Sequence, residues 1–166
     1  MAGGFNKPDR SCLFNTSVNN TELFTIPDAK FADSETGNES RGRILVMDDE
    51  EFILDMADKM FSTMGYDVTL SGNGEDTISL YIEAKEKGKP FHCVIMDLTI
   101  TDGMGGKEVI GILKNYDSDI RAIISSGYAD DPVVSEFREY GFSGVALKPY
   151  SFNQISNLLD SVITDS

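Results

Sequence analysis

The sequence is poor in cysteine and in positive charge. Its two cysteines, Cys12 and Cys93, provide no disulfide framework and no metal-ligand spacing. Lys and Arg number 14 against 28 Asp and Glu, which gives a formal net charge of −14. Because nucleic acids and anionic membranes are bound by clustered positive charge, this balance argues against both as direct partners. An acidic chain is, in contrast, suited to binding a divalent cation, although surplus acidic residues more often only make a protein soluble.

Long apolar runs are also missing. No stretch approaches the roughly 20 apolar residues that span a bilayer, and the N-terminus lacks the apolar core of a signal peptide. Cys93 lies inside an apolar segment and reads as a small buried hydrophobe. We therefore expect a soluble protein of the reducing cytoplasm.

Two regions differ in composition. Residues 1–41 are rich in Asn, Ser, Thr, Gly and Asp, without sustained apolar periodicity, and we interpret them as a polar, mostly flexible N-terminal extension or linker. Leu23-Phe24-Thr25-Ile26 is a candidate short strand within them. Residues 42–166 are regular, and the 40% hydrophobic content of the chain suffices for one domain with a real core.

Within residues 42–166, short apolar runs alternate with segments of helical periodicity. Five strands are predicted at 44–47, 66–70, 91–97, 120–126 and 145–147, each followed by a helix. Gly65 should end the first helix, and Pro132 should open a fourth helix that runs through Phe137 to Tyr140. This order predicts an α/β fold with a doubly wound parallel sheet and helices on both faces.

Polar residues lie at the C-terminal ends of four of these strands: Asp48 and Asp49, Asp97, Ser126, and Lys148. Taken singly, each has an ordinary structural explanation, since Asp and Ser end strands in turns and acidic residues favour helix N-termini. In a parallel sheet, however, these strand ends share one edge, where ligands bind. Clustered carboxylates repel unless a cation lies among them, and Mg²⁺ prefers oxygen ligands. The set therefore indicates a Mg²⁺-dependent phosphoryl-transfer centre with Asp97 as nucleophile.

Four segments carry a family resemblance. They are Arg43-Ile44-Leu45-Val46-Met47-Asp48-Asp49-Glu50, Val94-Ile95-Met96-Asp97, Ser126-Gly127-Tyr128 and Leu147-Lys148-Pro149-Tyr150. In order and spacing they resemble the signature segments of response-regulator receiver domains of two-component signalling. The resemblance implies a flavodoxin-like sheet of five strands in the order 2-1-3-4-5. It also implies a phosphoacceptor switch in a phosphorelay, rather than a turnover enzyme.

The resemblance also implies roles for individual residues. Asp97 would accept the phosphoryl group from a kinase phosphohistidine, with Ser126 as the switch hydroxyl and Lys148 as the lysine that contacts the acyl phosphate. Mg²⁺ would be held by Asp48, Asp49, Asp97 and the backbone carbonyl of Thr99. The implied partners are a histidine kinase or a histidine phosphotransfer protein, and the receiver would be a monomer or weak dimer.

The sequence departs from the family pattern at two places. The usual proline four residues after the phosphoacceptor is Thr101, and the loop that follows is glycine-rich, a form that resembles receivers attached to hybrid sensor histidine kinases. The usual switch aromatic, three residues before the lysine, is Val145. Too few residues follow Lys148 for an output domain in this sequence, so we expect a stand-alone receiver or the C-terminal receiver of a hybrid kinase.

Other functions fit less well. Phosphatases of the haloacid-dehalogenase class need a second Asp two residues after the nucleophile, where this chain has Thr99. A histidine kinase needs a phosphorylatable histidine on an exposed helix, but the single His92 is at the start of a predicted strand. A pseudo-receiver that only binds a partner stays open because of Val145.

Overall fold

A computed structural model describes residues 40–101 and 103–164. Five strands and five helices alternate along this part of the chain. The strands are β1 (Arg43–Met47), β2 (Asp67–Ser71), β3 (Cys93–Asp97), β4 (Ala122–Ser126) and β5 (Gly144–Leu147). The helices are α1 (Glu51–Thr63), α2 (Gly74–Glu86), α3 (Gly106–Tyr116), α4 (Pro132–Ser135) and α5 (Phe152–Thr164).

The strands form one parallel sheet in the order β2-β1-β3-β4-β5. This confirms the predicted flavodoxin-like, doubly wound topology. The order reverses between β1 and β3, so their carboxyl ends flank the switch point where ligands bind in such sheets. The predicted strand limits differ from the observed ones by one or two residues at most ends.

The sheet is covered on both faces by apolar side chains. One face packs against α1 and α5 through Ala57, Phe61, Ile155, Leu159 and Val162. The other face packs against α2, α3 and α4 in a larger cluster. Because side chains alternate along a strand, the apolar runs of β1, β3 and β4 feed both clusters, which is why these central strands read as continuous apolar segments.

Local signals in the sequence explain several helix ends. Gly65 adopts a φ of +90° just after the C-cap of α1, as predicted, because a residue there must enter the left-handed region. Asn73 caps α2 by accepting a hydrogen bond from the Asp76 amide at 2.8 Å. Pro132 occupies the first turn of α4 behind the Asp131 cap.

The predicted length of α4 is wrong. The helix ends at Ser135 and does not run to Tyr140. Beyond it the amide of Glu139 bonds the Glu136 carbonyl, and the amide of Gly141 bonds the Arg138 carbonyl, so the chain continues as tight turns. The apolar spacing that suggests a longer helix instead buries Val133 and Val134 and packs Phe137 partly against the same cluster.

The structure also bears on the predictions made for Cys93, for His92 and for membrane spans. Cys93 is fully buried, as predicted, and burial raises the pKa of its thiol to about 12. His92 is exposed, and its Nδ1 accepts a hydrogen bond from the Arg43 amide. The candidate strand at 23–26 lies outside the described residues. Within the described part of the chain, every helix is too short or too polar to cross a bilayer.

Candidate functional site

Three carboxylates meet at the carboxyl edge of the sheet. Asp48 and Asp49 follow β1 directly, and Asp97 is the last residue of β3. One carboxylate oxygen from each lies within 4.8 Å of the others. Asp48 is buried, the Asp97 side chain is 13% exposed, and Asp49 is exposed. At an effective dielectric near 20, two unit charges about 4 Å apart repel by roughly 4 kcal/mol, so this arrangement needs compensation.

Lys148 supplies part of that compensation from the end of β5. Its Nζ donates a hydrogen bond of 2.7 Å to Oδ2 of Asp48 and lies 3.5 Å from Oδ1 of Asp97. Burial alone would lower the pKa of Lys148, but the hydrogen bond to Asp48 and the charge of Asp97 outweigh it, and the pKa is raised. The ammonium therefore stays charged. One ammonium still faces three carboxylates.

Burial acts on the pKa of Asp97 in the opposite direction to its effect on the pKa of Lys148. Loss of solvent raises the pKa of Asp97; the charge of Lys148 counteracts this, and the charge of Asp48 adds to it. The carboxylate is thus less stable as an anion than an ordinary surface aspartate. A cation beside it would stabilise the charged form.

Asp49 is held by the loop after β3. Its Oδ2 accepts a hydrogen bond from the Thr101 amide at 2.9 Å. This amide and, secondarily, the Thr101 hydroxyl lower the pKa of Asp49. The contact links the β1–α1 loop to the β3–α3 loop across the site. A proline at position 101 has no amide hydrogen and cannot make it.

The glycines of the β3–α3 loop permit a close backbone approach. A Cβ on Gly105 would lie 2.4 Å from the Leu98 carbonyl oxygen, and one on Gly106 would lie 2.8 Å from the Asp97 carbonyl oxygen. Both are shorter than any normal contact. The glycine-rich sequence therefore allows α3 to begin directly against the strand end that carries Asp97.

Ser126 borders the same site but is engaged locally. Its hydroxyl lies 3.3 Å from the Tyr128 carbonyl oxygen, to which it donates, and accepts from the Tyr128 amide at 3.1 Å. Together with Thr99, Lys148 and neighbouring residues, it lines a cleft of about 350 Å³ above Asp97. The structure thus brings all the predicted side chains to one edge, although the Ser126 hydroxyl bonds its own loop.

Val145 and the two tyrosines near the site have distinct surroundings. Val145 is half-buried and packs against the cluster formed with α2, α3 and α4, together with Phe137 and Tyr140. Tyr128 is 72% exposed, whereas Tyr150 is half-buried and lines an apolar groove with residues of α1.

Sequence reasoning misses two residues that lie at or next to the site. The sequence singles out Thr101 only because the family pattern has proline at this position. A residue other than proline has an amide hydrogen, so the absence of proline could have predicted a backbone donor here. Ser125, beside Asp97 in the sheet, does not stand out in the sequence because it falls within an apolar strand.

Comparison with known proteins identifies the family of this chain. The family described as the response regulator receiver domain matches residues 44–160. The chain belongs to this family. The match covers the sheet from Ile44 onward and extends into α5, and it includes every residue that borders the site.

The receiver is similar to curated proteins of moderate identity. It is 29% identical over 113 residues to sporulation initiation phosphotransferase F of Bacillus subtilis, covering 68% of this chain and 86% of that protein. It is 26% identical over 121 residues to the chemotaxis protein CheY of Thermotoga maritima, covering 72% of this chain and 96% of that one.

A solved structure shares the fold of this receiver. A crystal structure described as the CheX-CheY-BeF3-Mg+2 complex from Borrelia burgdorferi matches with a TM-score of 0.66 at 20% identity. It covers 75% of this chain and 90% of the matched one. At this identity the likeness bears on the fold alone.

Proposed function

We propose that this receiver accepts a phosphoryl group on Asp97 from a phosphohistidine of a histidine kinase or histidine phosphotransfer protein. The observation that carries the proposal is the convergence of three carboxylates within 4.8 Å of one another, with the Lys148 ammonium 3.5 Å from Asp97. Phosphoryl transfer requires mainly positioning and charge stabilisation, which such a set supplies. The family to which the chain belongs supports the same conclusion.

The chemistry is a displacement at phosphorus. An Asp97 carboxylate oxygen forms a bond to phosphorus as the bond between phosphorus and the imidazole nitrogen breaks. The nitrogen keeps the electron pair, and the donor histidine leaves neutral once its protons are balanced with solvent. Lys148, already beside Asp97, offsets negative charge on the phosphoryl oxygens. Hydrolysis of the acyl phosphate returns the carboxylate, so the protein is a phosphoacceptor and not a turnover enzyme.

The residues present fit a magnesium ion. The donor set consists of hard carboxylate oxygens, only partly neutralised by one ammonium, which is the environment that Mg²⁺ prefers. Asp48, Asp49 and Asp97, with the backbone carbonyl of Thr99, would hold it. When bound, the ion would neutralise charge on the transferring phosphoryl group.

The switch in this chain would act through the loop after β4. When phosphoryl oxygens occupy the cleft, the Ser126 hydroxyl would turn toward them and release the Tyr128 backbone that it now bonds. Val145 has no ring that could move inward, so the exposed Tyr128 and the short α4 would carry the change outward.

The proposal also covers the domain division, attachment, localisation and oligomeric state of the protein. Residues 1–41 would be a polar linker or extension and residues 42–166 the receiver. Thr101 and the glycine-rich loop favour attachment to a hybrid sensor histidine kinase. The receiver would act in the cytoplasm as a monomer or weak dimer, without contacting nucleic acid or membrane.

Incubation with acetyl phosphate and Mg²⁺, followed by intact-protein mass spectrometry, tests the assignment. We expect one phosphoryl group on the wild-type protein, removable by hydroxylamine because it is an acyl phosphate. Asp97→Asn should remain unmodified, and chelation of Mg²⁺ should block wild-type labelling.

Asp67→Asn is a matched control. Asp67 begins β2, at the edge of the sheet opposite the cleft, and pairs there with Arg43. It should be labelled like the wild type. Equal labelling of Asp97→Asn would overturn the assignment, and a wild-type protein that is never labelled would favour a pseudo-receiver.

A further inference from the structure

Ser125 carries an unexplained hydroxyl. The residue is 3% exposed, and its Oγ is the one buried side-chain polar atom of residues 40–101 and 103–164 that has no hydrogen-bond partner. Burying a hydroxyl without a partner costs stability, so such a group in a folded protein needs an explanation. Its position in the sheet suggests one.

Strand register puts Ser125 next to Asp97. The two residues are paired across β3 and β4, and the Leu98 amide donates to the Ser125 carbonyl at 3.2 Å, which holds the register at this point. Neighbouring strands lie about 4.8 Å apart. Two residues earlier, Ile95 and Ile123 are paired in the same way.

Alternation settles which face the two side chains share. Ile95 and Ile123 both belong to the apolar cluster with α1 and α5. Because side chains two residues apart point to the same face of a strand, Asp97 and Ser125 extend from that face together. The neighbour of Ser125 on β5 is Ala146, which has no polar side-chain atom. Of the two residues paired with Ser125 in the sheet, Asp97 is therefore the one with a polar side chain.

We infer that Ser125 is a positioning residue for the phosphoacceptor, whose hydroxyl has no partner in the resting protein and turns to donate a hydrogen bond to the Asp97 carboxylate oxygen farther from Lys148 during phosphoryl transfer. This would hold the other oxygen at the cleft for attack on phosphorus. The inference rests on the proposed function. With acetyl phosphate, the Asp97 oxygen bonds phosphorus while the bond from phosphorus to the acetyl oxygen breaks, and acetate leaves with the electron pair.

Replacing Ser125 should affect the rate of phosphorylation and the free energy of unfolding differently. Removing a hydroxyl that has no partner in the resting state should leave the free energy of unfolding unchanged or higher, because its desolvation cost disappears. The same change should slow phosphorylation, since the carboxylate loses a donor. A residue with a merely structural role would lower both together.

The experiment measures the rate of Asp97 labelling by acetyl phosphate in saturating Mg²⁺, with urea unfolding of each variant. Ser125→Thr keeps the hydroxyl, and Ser125→Val has nearly the same shape without it. We expect Ser125→Val to be slower than Ser125→Thr by about tenfold, the range that corresponds to one hydrogen bond to a charged group. Ser125→Ala only removes atoms, so it should show the same loss of labelling rate even if the larger Thr and Val side chains do not fit.

The outcomes are distinguishable. Equal rates for the Thr and Val variants, or a wild-type rate for Ser125→Ala, would overturn the role of Ser125 while leaving Asp97 as the acceptor. A slow Ser125→Ala protein that is also destabilised would identify a structural role instead. If the wild-type protein is not labelled at all, the proposed function itself fails, and the Ser125 inference falls with it.

Discussion

Lys148 and Asp48 form a buried ion pair in which Nζ lies 2.7 Å from Oδ2, closer than the 3.5 Å that separates Nζ from Asp97. Asp48 is 2% exposed, so the lysine neutralises a carboxylate that water hardly reaches. The same ammonium is available to the phosphoacceptor. Stability and chemistry of the site therefore depend on one side chain.

Replacing Lys148 should destabilise the metal-free protein. Lys148→Met leaves Asp48 buried without its cation, and loss of one partner of a buried pair costs about 3 kcal/mol. Urea unfolding in the presence of a chelator measures this. In an Asp48→Asn background the same substitution should cost much less, because no buried charge is left behind. Additive costs in the double variant would contradict the pairing.

The close packing of the β3–α3 loop predicts opposite effects for two glycine substitutions. Gly106→Ala would force a Cβ to within 2.8 Å of the Asp97 carbonyl oxygen, so we expect destabilisation by at least about 1 kcal/mol and slower labelling of Asp97. Gly111 lies in α3, and a Cβ added there would meet nothing within 4 Å. Gly111→Ala should stabilise the protein by about 0.5–1 kcal/mol. Thermal unfolding of both variants checks the pair, and equal effects would refute the packing argument.

The contact between Thr101 and Asp49 predicts a change in titration. Thr101→Pro removes the amide donor and the hydroxyl, so the depressed pKa of Asp49 should move upward toward its ordinary value. Thr101→Ala keeps the amide and should shift the pKa less. Carbon-13 NMR of the Asp49 carboxyl in metal-free protein measures both. Identical titration of Asp49 in wild type and Thr101→Pro would mean that the bond does not persist in solution.

Tyr81 predicts a loss of stability at alkaline pH. Burial, helped by a 2.7 Å hydrogen bond to Asp117, raises its pKa well above the ordinary value of a tyrosine. The unfolded chain releases this proton near pH 10, so above about pH 10 the unfolded state binds fewer protons than the folded state, and stability falls as pH rises toward the folded-state pKa. The contribution of one such group is at most about 1.4 kcal/mol per pH unit.

Tyr81→Phe isolates that contribution. The variant is expected to be less stable at neutral pH, because it lacks the bond to Asp117, but to lose less stability than wild type as the pH is raised above about 10. Urea unfolding at stepped pH compares the slopes. Parallel slopes for the two proteins would show that Tyr81 does not carry the alkaline sensitivity.

Local patterns in the sequence predict much of the fold. The apolar runs of the central strands, Gly65 after the first helix and Pro132 at the start of the fourth predict the alternation of strands and helices. The handedness of parallel crossovers then restricts the topology to a few arrangements. The fourth helix shows where local reasoning fails. Its apolar spacing suits a helix, but burial of Val134 and Phe137 against the sheet is satisfied by a short helix followed by turns.

Sequence by itself determined which chemical groups reach the site, because residues that end neighbouring parallel strands must share an edge of the sheet. Only the tertiary structure decided how they pair there: Lys148 with Asp48, Thr101 with Asp49, and Ser125 beside Asp97. These contacts join residues far apart in the chain, and they depend on register, loop closure and side-chain rotamers. No local pattern encodes those quantities.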